Sequence, residues 1–309
     1  MKLLILDRAD SWHVSDLIRA AGTKHQVSTA TYEQLGVSLT AQGNSTFVAG
    51  DMPVDQFDVI ITRAMSGGCS LEQVVFRMDC LAQIQDQLGL IVINPAKAIE
   101  ASVDKYLSLE KIRAAGVNVP ATSVCQTVEQ AMLFFHDHGN DVVVKPIFGS
   151  QGRGVIRIRD PKAANDHFTN LIAEGRVVYL QEYIEHSDWD LRLLVIGEQV
   201  HAMRRHRPGH WVTNASLGSE CTPHDATDDE CEIAIITAKS QGAFLAGIDL
   251  IYDPSGKPFV VEANACPAWK RISEALQTDV ASELISMSDQ LLKRQSIQGV
   301  GDKIHPSKV

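Results

Sequence analysis

Three oxygen-bearing side chains late in the chain, Asp249, Glu262 and Asn264, have the types and spacing of a site for a hard cation. They lie in GIDLIYDPSGKPFVVEANACP, where IDLIY and PFVVEA read as adjacent strands joined by the DPSG turn. Glu262 and Asn264 are two apart, so a strand points both to one face and turns Ala263 to the other. Two carboxylates and an amide oxygen suit Mg²⁺, which completes its shell with water and phosphate oxygens. An isolated ExN pair also suits a solvated strand face. The flanking FVV predicts burial, and a buried polar pair needs a partner.

A matching anion chemistry is offered by VVVKPIFGSQGRGV, in which a strand delivers Lys145 and a loop follows with Gly149, Ser150, Gln151, Gly152 and Gly154. Glycines let backbone N–H groups approach phosphate oxygens, and a strand lysine can neutralise their charge. A P-loop would carry its lysine after the last glycine, so the segment is not one. Taken alone it also fits an ordinary hairpin turn. Arg192, Arg204 and Arg205 are candidates for stabilising a phosphorylated or tetrahedral intermediate. Residues 204 and 205 point to opposite strand faces, so at most one faces the cleft, with Arg205 preferred. His201, His206 and His210 lack a rigid ligand spacing and read as loop or surface histidines. Cys266 reads as a packing residue, and Trp211 as a loop anchor or a stacking group.

The elements that must position these groups follow from hydrophobic periodicity. Leu3 to Leu6, Val59 to Ile61 and Leu90 to Ile93 are apolar runs typical of buried parallel strands, with helical patterns at Trp12 to Ala21 and Leu71 to Leu88 between them. A glycine-rich turn after the first strand, needed for dinucleotide binding, is replaced by LDRADSWHV. The chain turns near Asn94-Pro95, and Ser102 is placed to cap a helix through Lys105, Leu109 and Ile112 to Gly116. Beyond Pro120, helices and strands alternate as a compact α+β unit. LRLLVI and QVHAMRR then form a hairpin around Gly197-Glu198, and Thr227 with Glu230 forms a capping box for a helix expected to stop near Gly247.

With 309 residues, the chain is long enough for two or three structural units. Its net charge of −10 argues against a generally basic nucleic-acid-binding surface. Six cysteines without CxxC spacing disfavour a zinc site or a disulfide scaffold. No apolar run reaches the length of about 18 residues expected of a membrane span, and KLLILD does not resemble a signal peptide. A cytoplasmic protein without membrane or nucleic-acid partners is expected; whether it forms a homo-oligomer is left open.

The order Lys105, Lys145 with its glycine loop, QEYI, DLR, WVTN, Asp249 and EAN resembles the ATP-grasp superfamily, and within it the RimK-type glutamate ligases. These enzymes attach glutamate or a related amino acid to a ribosomal protein, a pterin or deazaflavin coenzyme, or a lysine-biosynthesis carrier. The resemblance covers roughly residues 94–291. It implies an α/β and α+β chain with an ATP-grasp fold behind a Rossmann-like pre-ATP-grasp domain at 1–98. A central and lid subdomain at 99–185, a catalytic subdomain at 186–295 and a flexible tail at 296–309 would follow.

The resemblance further implies ATP between the two α+β units, with Lys105 and Lys145 on phosphates and Gln181, Glu182, Tyr183 and Ile184 beside adenine. Asp190 would meet the ribose, Thr213 and Asn214 would sit near the phosphates, and Asp249, Glu262 and Asn264 would hold Mg²⁺, with Mn²⁺ able to substitute. Val212 stands where these enzymes often have arginine, so another basic residue must serve if one is needed. The implied activity joins a carboxylate acceptor to an amine donor, L-glutamate, through an acyl phosphate. The stretch EANACPAWK looks like that of ligases acting on tetrahydromethanopterin-type cofactors. A protein C-terminus, a biosynthetic carrier and a dipeptide are competing acceptors. A phosphotransferase on the same fold would use the same nucleotide residues, and a nucleotide-binding regulatory module would keep them without turnover.

Overall fold

The computed structural model describes residues 1–302 except 42, 44, 64, 66, 67, 150 and 151. Ser150 and Gln151 of the glycine loop therefore lie outside the described residues, as do 303–309.

The N-terminal unit contains β1 (Lys2–Leu6), α1 (Trp12–Ala21), β2 (Gln26–Ala30), β3 (Leu35–Leu39), β4 (Ser45–Ala49), β5 (Met52–Pro53), β6 (Val59–Thr62), α2 (Leu71–Leu88) and β7 (Ile91–Ile93). Parallel strands in the order β2-β1-β6-β7 form its main sheet. Strands β1 and β6 are apolar on both faces because helices and neighbouring elements cover both. Helix α2 starts at a capping box of Ser70 and Gln73 and ends at left-handed Gly89. A small antiparallel sheet, β3-β4-β5, packs on the main sheet within this unit.

Two short helices follow, α3 (Ala96–Val103) and α4 (Lys105–Ala114). The expected single helix capped by Ser102 is corrected: Ser102 lies inside α3, and the Asp104 side chain caps α4 by accepting from the N–H groups of Tyr106 and Leu107. Lys105 thereby becomes the first residue of α4. Next come β8 (Thr122–Cys125), α5 (Val128–Asp137), β9 (Val142–Lys145), β10 (Ile156–Ile158), α6 (Pro161–Ala173) and β11 (Val178–Glu182). The sheet order β10-β9-β11-β8 places β9, which carries Lys145, next to β11.

The last unit holds β12 (Trp189–Ile196), β13 (Gln199–His206), β14 (Glu220–His224), α7 (Asp228–Gln241), β15 (Leu245–Tyr252), β16 (Pro258–Asn264), α8 (Lys270–Leu276) and α9 (Val280–Asp302). Its sheet is antiparallel in the order β14-β13-β12-β15-β16. The Thr227 and Glu230 capping box forms, but α7 ends at left-handed Gly242. Gly247 lies inside β15, because Leu245 to Leu250 are buried strand residues. Helix α9 extends through residues 296–302 of the expected 296–309 tail.

The N-terminal sheet and the last unit share one core: Leu3, Ile5, Val14 and Leu17 cluster with Leu194, Leu245, Trp269, Val280 and Leu284. Asn94 reinforces that junction. Its buried amide donates to the carbonyls of Leu245 and Ala265 at 2.6 and 2.5 Å and accepts from the N–H groups of Phe244 and Leu245. All the amide's main hydrogen-bonding directions are used, which fixes the chain just beyond β16 against the end of β7.

Candidate active site

One cleft lies between the β8–β11 sheet and the β12–β16 sheet, and it collects most of the expected residues. Lys105, Lys145, Gly149, Gly152, Gln181, Glu182, Tyr183, Ile184, Asp190, Thr213, Asn214, Asp249 and Glu262 all line it. Strand register explains the acidic end. Asp249 stands opposite Glu262 across β15 and β16, and Arg192 stands opposite Asp249 across β12 and β15. Opposed residues in an antiparallel pair share a face.

A bulge follows at once: Asp249 pairs with Glu262 but Leu250 pairs with Val260, which leaves Val261 as the extra residue. Val261 and Glu262 consequently both reach the cleft, although neighbours on a regular strand would face opposite sides. Val143, Val155, Ile184, Ile251 and Val261 provide an apolar lining suited to a flat heterocycle. Strict alternation in the sequence hides Val261 from such a role.

The two lysines of the cleft are held differently. Lys145 donates to Gln181 Oε1, and the Gln181 amide is oriented by Thr122 Oγ1 at 3.1 Å and Tyr179 Oη at 3.2 Å. Gln181 is buried at the cleft wall, and its side chain positions Lys145. Burial lowers the Lys145 ammonium to about 8, against the pull of Glu262. Lys105 donates to the Gly149 carbonyl at 2.7 Å and lies 3.7 Å from Glu262 Oε1, tying the glycine loop to the acidic end. Gly152 has φ +70°, and a Cβ there would fall 2.7 Å from Asn214 Oδ1. The loop can approach residues 212–214 only because this position has no side chain. Arg153 of the same loop also lines the cleft. It is a basic residue in the same cleft lining as Val212.

Beneath the cleft floor, Arg205 joins two carboxylates. Its Nε donates to Asp190 Oδ1 at 2.7 Å, and its Nη2 lies 2.9 Å from Asp249 Oδ2. Arg192 Nη1 donates to Asp249 Oδ1 at 2.6 Å. Burial opposes the Asp249 charge, but Arg205 and Arg192 outweigh it and hold the carboxyl below its usual range. Burial raises the Asp190 carboxyl against the pull of Arg205. Arg192 has room because of Gly247, where a Cβ would lie 2.2 Å from Arg192 Nη2. Arg204 is corrected out of this group: its guanidinium stacks over Trp189 at 4.1 Å, on the other side of β13 from Arg205.

Asn264 pairs in register with Gly247, one step from the Asp249–Glu262 pair, and its Oδ1 accepts from the Cys266 N–H at 2.8 Å. Among the described residues, no group of three or more His, Cys, Asp or Glu is placed to hold a metal. A cation here therefore depends on two carboxylates and an amide oxygen. That donor set fits Mg²⁺ completed by phosphate oxygens, since each carboxylate oxygen keeps a second lone pair beside its arginine or lysine. The buried lysine, the glycine cradle and the apolar lining likewise fit a nucleoside triphosphate. Glu182 is less free than expected, because its Oε1 accepts from the Ala121 N–H at 2.7 Å. His186 pins the Ile184 carbonyl at 2.7 Å and the Trp211 carbonyl at 3.0 Å, joining the strip after β11 to the 207–219 loop. Sequence spacing gave no sign of that bridge. No helix among the described residues is long and apolar enough to cross a membrane.

Comparison with known proteins agrees with this geometry. The RimK-like ATP-grasp domain family matches residues 102–288. A tetrahydromethanopterin:alpha-L-glutamate ligase of Methanosarcina acetivorans is 31% identical over 284 residues, covering 82% of this chain and 87% of its own. A probable alpha-L-glutamate ligase of Legionella pneumophila is 29% identical over 279 residues, covering 89% of each chain. Among solved structures, the ATP-grasp ligase PsnB complexed with minimal precursor, Mg and ADP superposes with a TM-score of 0.72 at 19% identity, covering 93% of this chain and 97% of its own. A RimK domain ATP-grasp protein from Sphaerobacter thermophilus gives 0.70 at 21% identity, covering 93% and 99%. With its own cleft and these relatives in agreement, the chain belongs to the RimK-like ATP-grasp family of ligases.

Proposed function

We propose that this protein is an ATP-dependent carboxylate–amine ligase that adds L-glutamate to an acceptor carboxylate, with a tetrahydromethanopterin-like cofactor as the first acceptor to test and a protein as the second. The observation that carries it is the convergence of Lys105, Lys145, Gly152 and the Asp249–Glu262 pair on one cleft. Carboxylates and amines do not condense in neutral water, and ATP supplies the leaving group as an acyl phosphate and ADP. Mg²⁺, or Mn²⁺ in its place, would be held by Asp249, Glu262 and Asn264 and would neutralise phosphate charge.

The chain's own groups do the rest. Lys145 and Lys105 offset charge on the transferring phosphoryl group, and Gln181 keeps Lys145 aimed at it. Arg192 and Arg205 lie one layer below and hold Asp249 ionised and fixed. The glycine loop docks over residues 212–214 and shields the intermediate from water. No enzyme nucleophile is required, because the amine attacks the acyl carbon and phosphate leaves. Cytoplasmic location belongs to the same proposal, as ATP and glutamate are both supplied there. The units 1–98, 99–185 and 186–295 are proposed as its pre-ATP-grasp, central and catalytic parts.

The test uses acceptor labelled with heavy oxygen in its carboxylate, together with L-glutamate, ATP and Mg²⁺. One labelled oxygen should appear in released phosphate for each amide formed. A lasting phosphorylated product without amide would instead identify a phosphotransferase.

A further inference from the structure

Arg63 follows β6 directly and is 3 % exposed, yet its Nε and Nη1 have no hydrogen-bond partner. Among the described residues no carboxylate forms a salt bridge with it within 4.0 Å, and Asp7 acts on it only from a greater distance. The other deeply buried arginines are paired: Arg77 meets Glu33 at 3.2 Å, and Arg205 meets Asp190 and Asp249. A buried guanidinium without an anion is costly, and a protein keeps one where a ligand supplies the charge.

Its surroundings fit that purpose. The Arg63 guanidinium lies 4.4 Å from the centroid of the Trp269 ring. That ring meets His13 edge-on at 4.5 Å and is fixed by a 2.9 Å bond from its Nε1 to Asp16. His13 Nε2 is a second buried atom without a partner. Burial lowers the His13 imidazole to about 4, so it is neutral near pH 7 and able to hydrogen-bond. His13 lies in the first turn of α1, a 10-residue helix with no side-chain cap from Ser11 and no acidic residue in that turn. Its first N–H groups are therefore available to an anion. Lys270, 5.5 Å from the Trp12 ring, adds positive charge at the same end. These groups collect at the carboxyl ends of β1 and β6, where ligands of open parallel sheets bind. Trp269 belongs to the segment that leaves the acidic end of the cleft. Cys266 lies two residues beyond Asn264, at a bend closed by its N–H on Asn264 Oδ1.

We infer that Arg63, with His13, Trp269 and the α1 N-terminus, binds a non-reacting carboxylate of the substrate, supplied by the amino-acid donor or by the acceptor. Assigning that carboxylate to a ligation substrate rests on the ligase proposal; the anion site itself does not.

Thermal unfolding of the full chain with glutarate, inorganic phosphate or ATP separates the two. Glutarate should raise the wild-type midpoint. Arg63→Met should abolish that shift, keep the ATP shift, and leave the unliganded midpoint unchanged or higher, because an unpaired buried charge has gone. A retained glutarate shift, no shift in the wild type, or a response to phosphate alone overturns the carboxylate site. If Arg63→Met does not fold, Arg63→Lys serves: glutarate affinity should fall at least about fivefold, and unchanged affinity overturns the site. In turnover, Arg63→Met should raise the KM for L-glutamate about 30-fold or more if the donor supplies the group, or that of the acceptor instead, with the KM for ATP within about twofold. An active variant with every KM unchanged overturns the subsite and leaves the ligase proposal standing. A wild type that forms no amide overturns the ligase proposal and leaves the glutarate result intact.

Discussion

Arg192 reaches Asp249 through space that exists because residue 247 has no side chain: Nη1 sits 2.6 Å from Asp249 Oδ1, and a Cβ at Gly247 would lie 2.2 Å from Nη2. The atom in the way is the end of a flexible side chain, so Gly247→Ala should swing Arg192 aside without unfolding the sheet. Turnover should fall about 10- to 100-fold, on the scale of losing one charged hydrogen bond of about 1.5–3 kcal/mol, with the melting temperature lowered by only a few degrees. Steady-state kinetics and thermal unfolding check both halves.

The buried Asp190–Arg205–Asp249 group makes a stability prediction. Arg205→Met strands Asp190 and leaves Asp249 with Arg192 alone, and should cost about 3–5 kcal/mol in denaturant unfolding. Combining it with Asp190→Asn should recover at least about 1 kcal/mol, since the second change removes one stranded charge. Arg204→Met, on the opposite face over Trp189, should cost about 1 kcal/mol or less and leave turnover within about twofold. Loss of activity in Arg204→Met comparable to that in Arg205→Met would refute the face assignment.

Lys145 gives a pH dependence with a definite sign. Its folded value of about 8 lies below the ordinary 10.5, so between those values the unfolded chain holds more protons and this group's share of stability rises with pH. Triphosphate favours the charged ammonium. ATP binding at pH 8 should therefore take up protons, and affinity should weaken as pH climbs beyond 8. Calorimetry in buffers of different ionisation enthalpy measures the uptake, and Lys145→Met should remove it.

The glycine loop offers a local test. At Gly152 a side chain meets both a left-handed backbone and Asn214 Oδ1 at 2.7 Å. Gly152→Ala should raise the KM for ATP about tenfold, on a cost of about 1–2 kcal/mol. Removing the obstruction with Asn214→Ala in the same chain should not restore it fully, because φ remains positive.

Much of this architecture was legible because periodicity and caps are local. The runs at Leu3 and Val59, the helices Trp12–Ala21 and Leu71–Leu88, and the Gly197 hairpin follow from apolar spacing and turn chemistry alone. What escaped depends on partners distant in sequence. The β3–β5 sheet mixes exposed and buried residues without a clean period. Gly247 resembled a helix stop because the clash it avoids comes from Arg192 on another strand. The tie of Gln181 to Lys145 and Thr122 is tertiary and has no signature in local spacing. Val261 reaches the cleft only through the bulge, and the unpartnered Arg63 shows only once the core around it is in place.

The central claim is that Asp249 and Glu262 hold the cation of an ATP cleft that drives amide formation. Glu262 is the less encumbered of the two: its one salt-bridge partner among the described residues is Lys105 at 3.7 Å. The most direct measurement is glutamate-dependent ADP release by Glu262→Gln across a Mg²⁺ titration, alongside its unfolding midpoint. The variant should keep the wild-type midpoint within a few degrees and lose at least about 100-fold in turnover at every Mg²⁺ concentration. Near-normal turnover with an ordinary Mg²⁺ dependence would contradict the assignment.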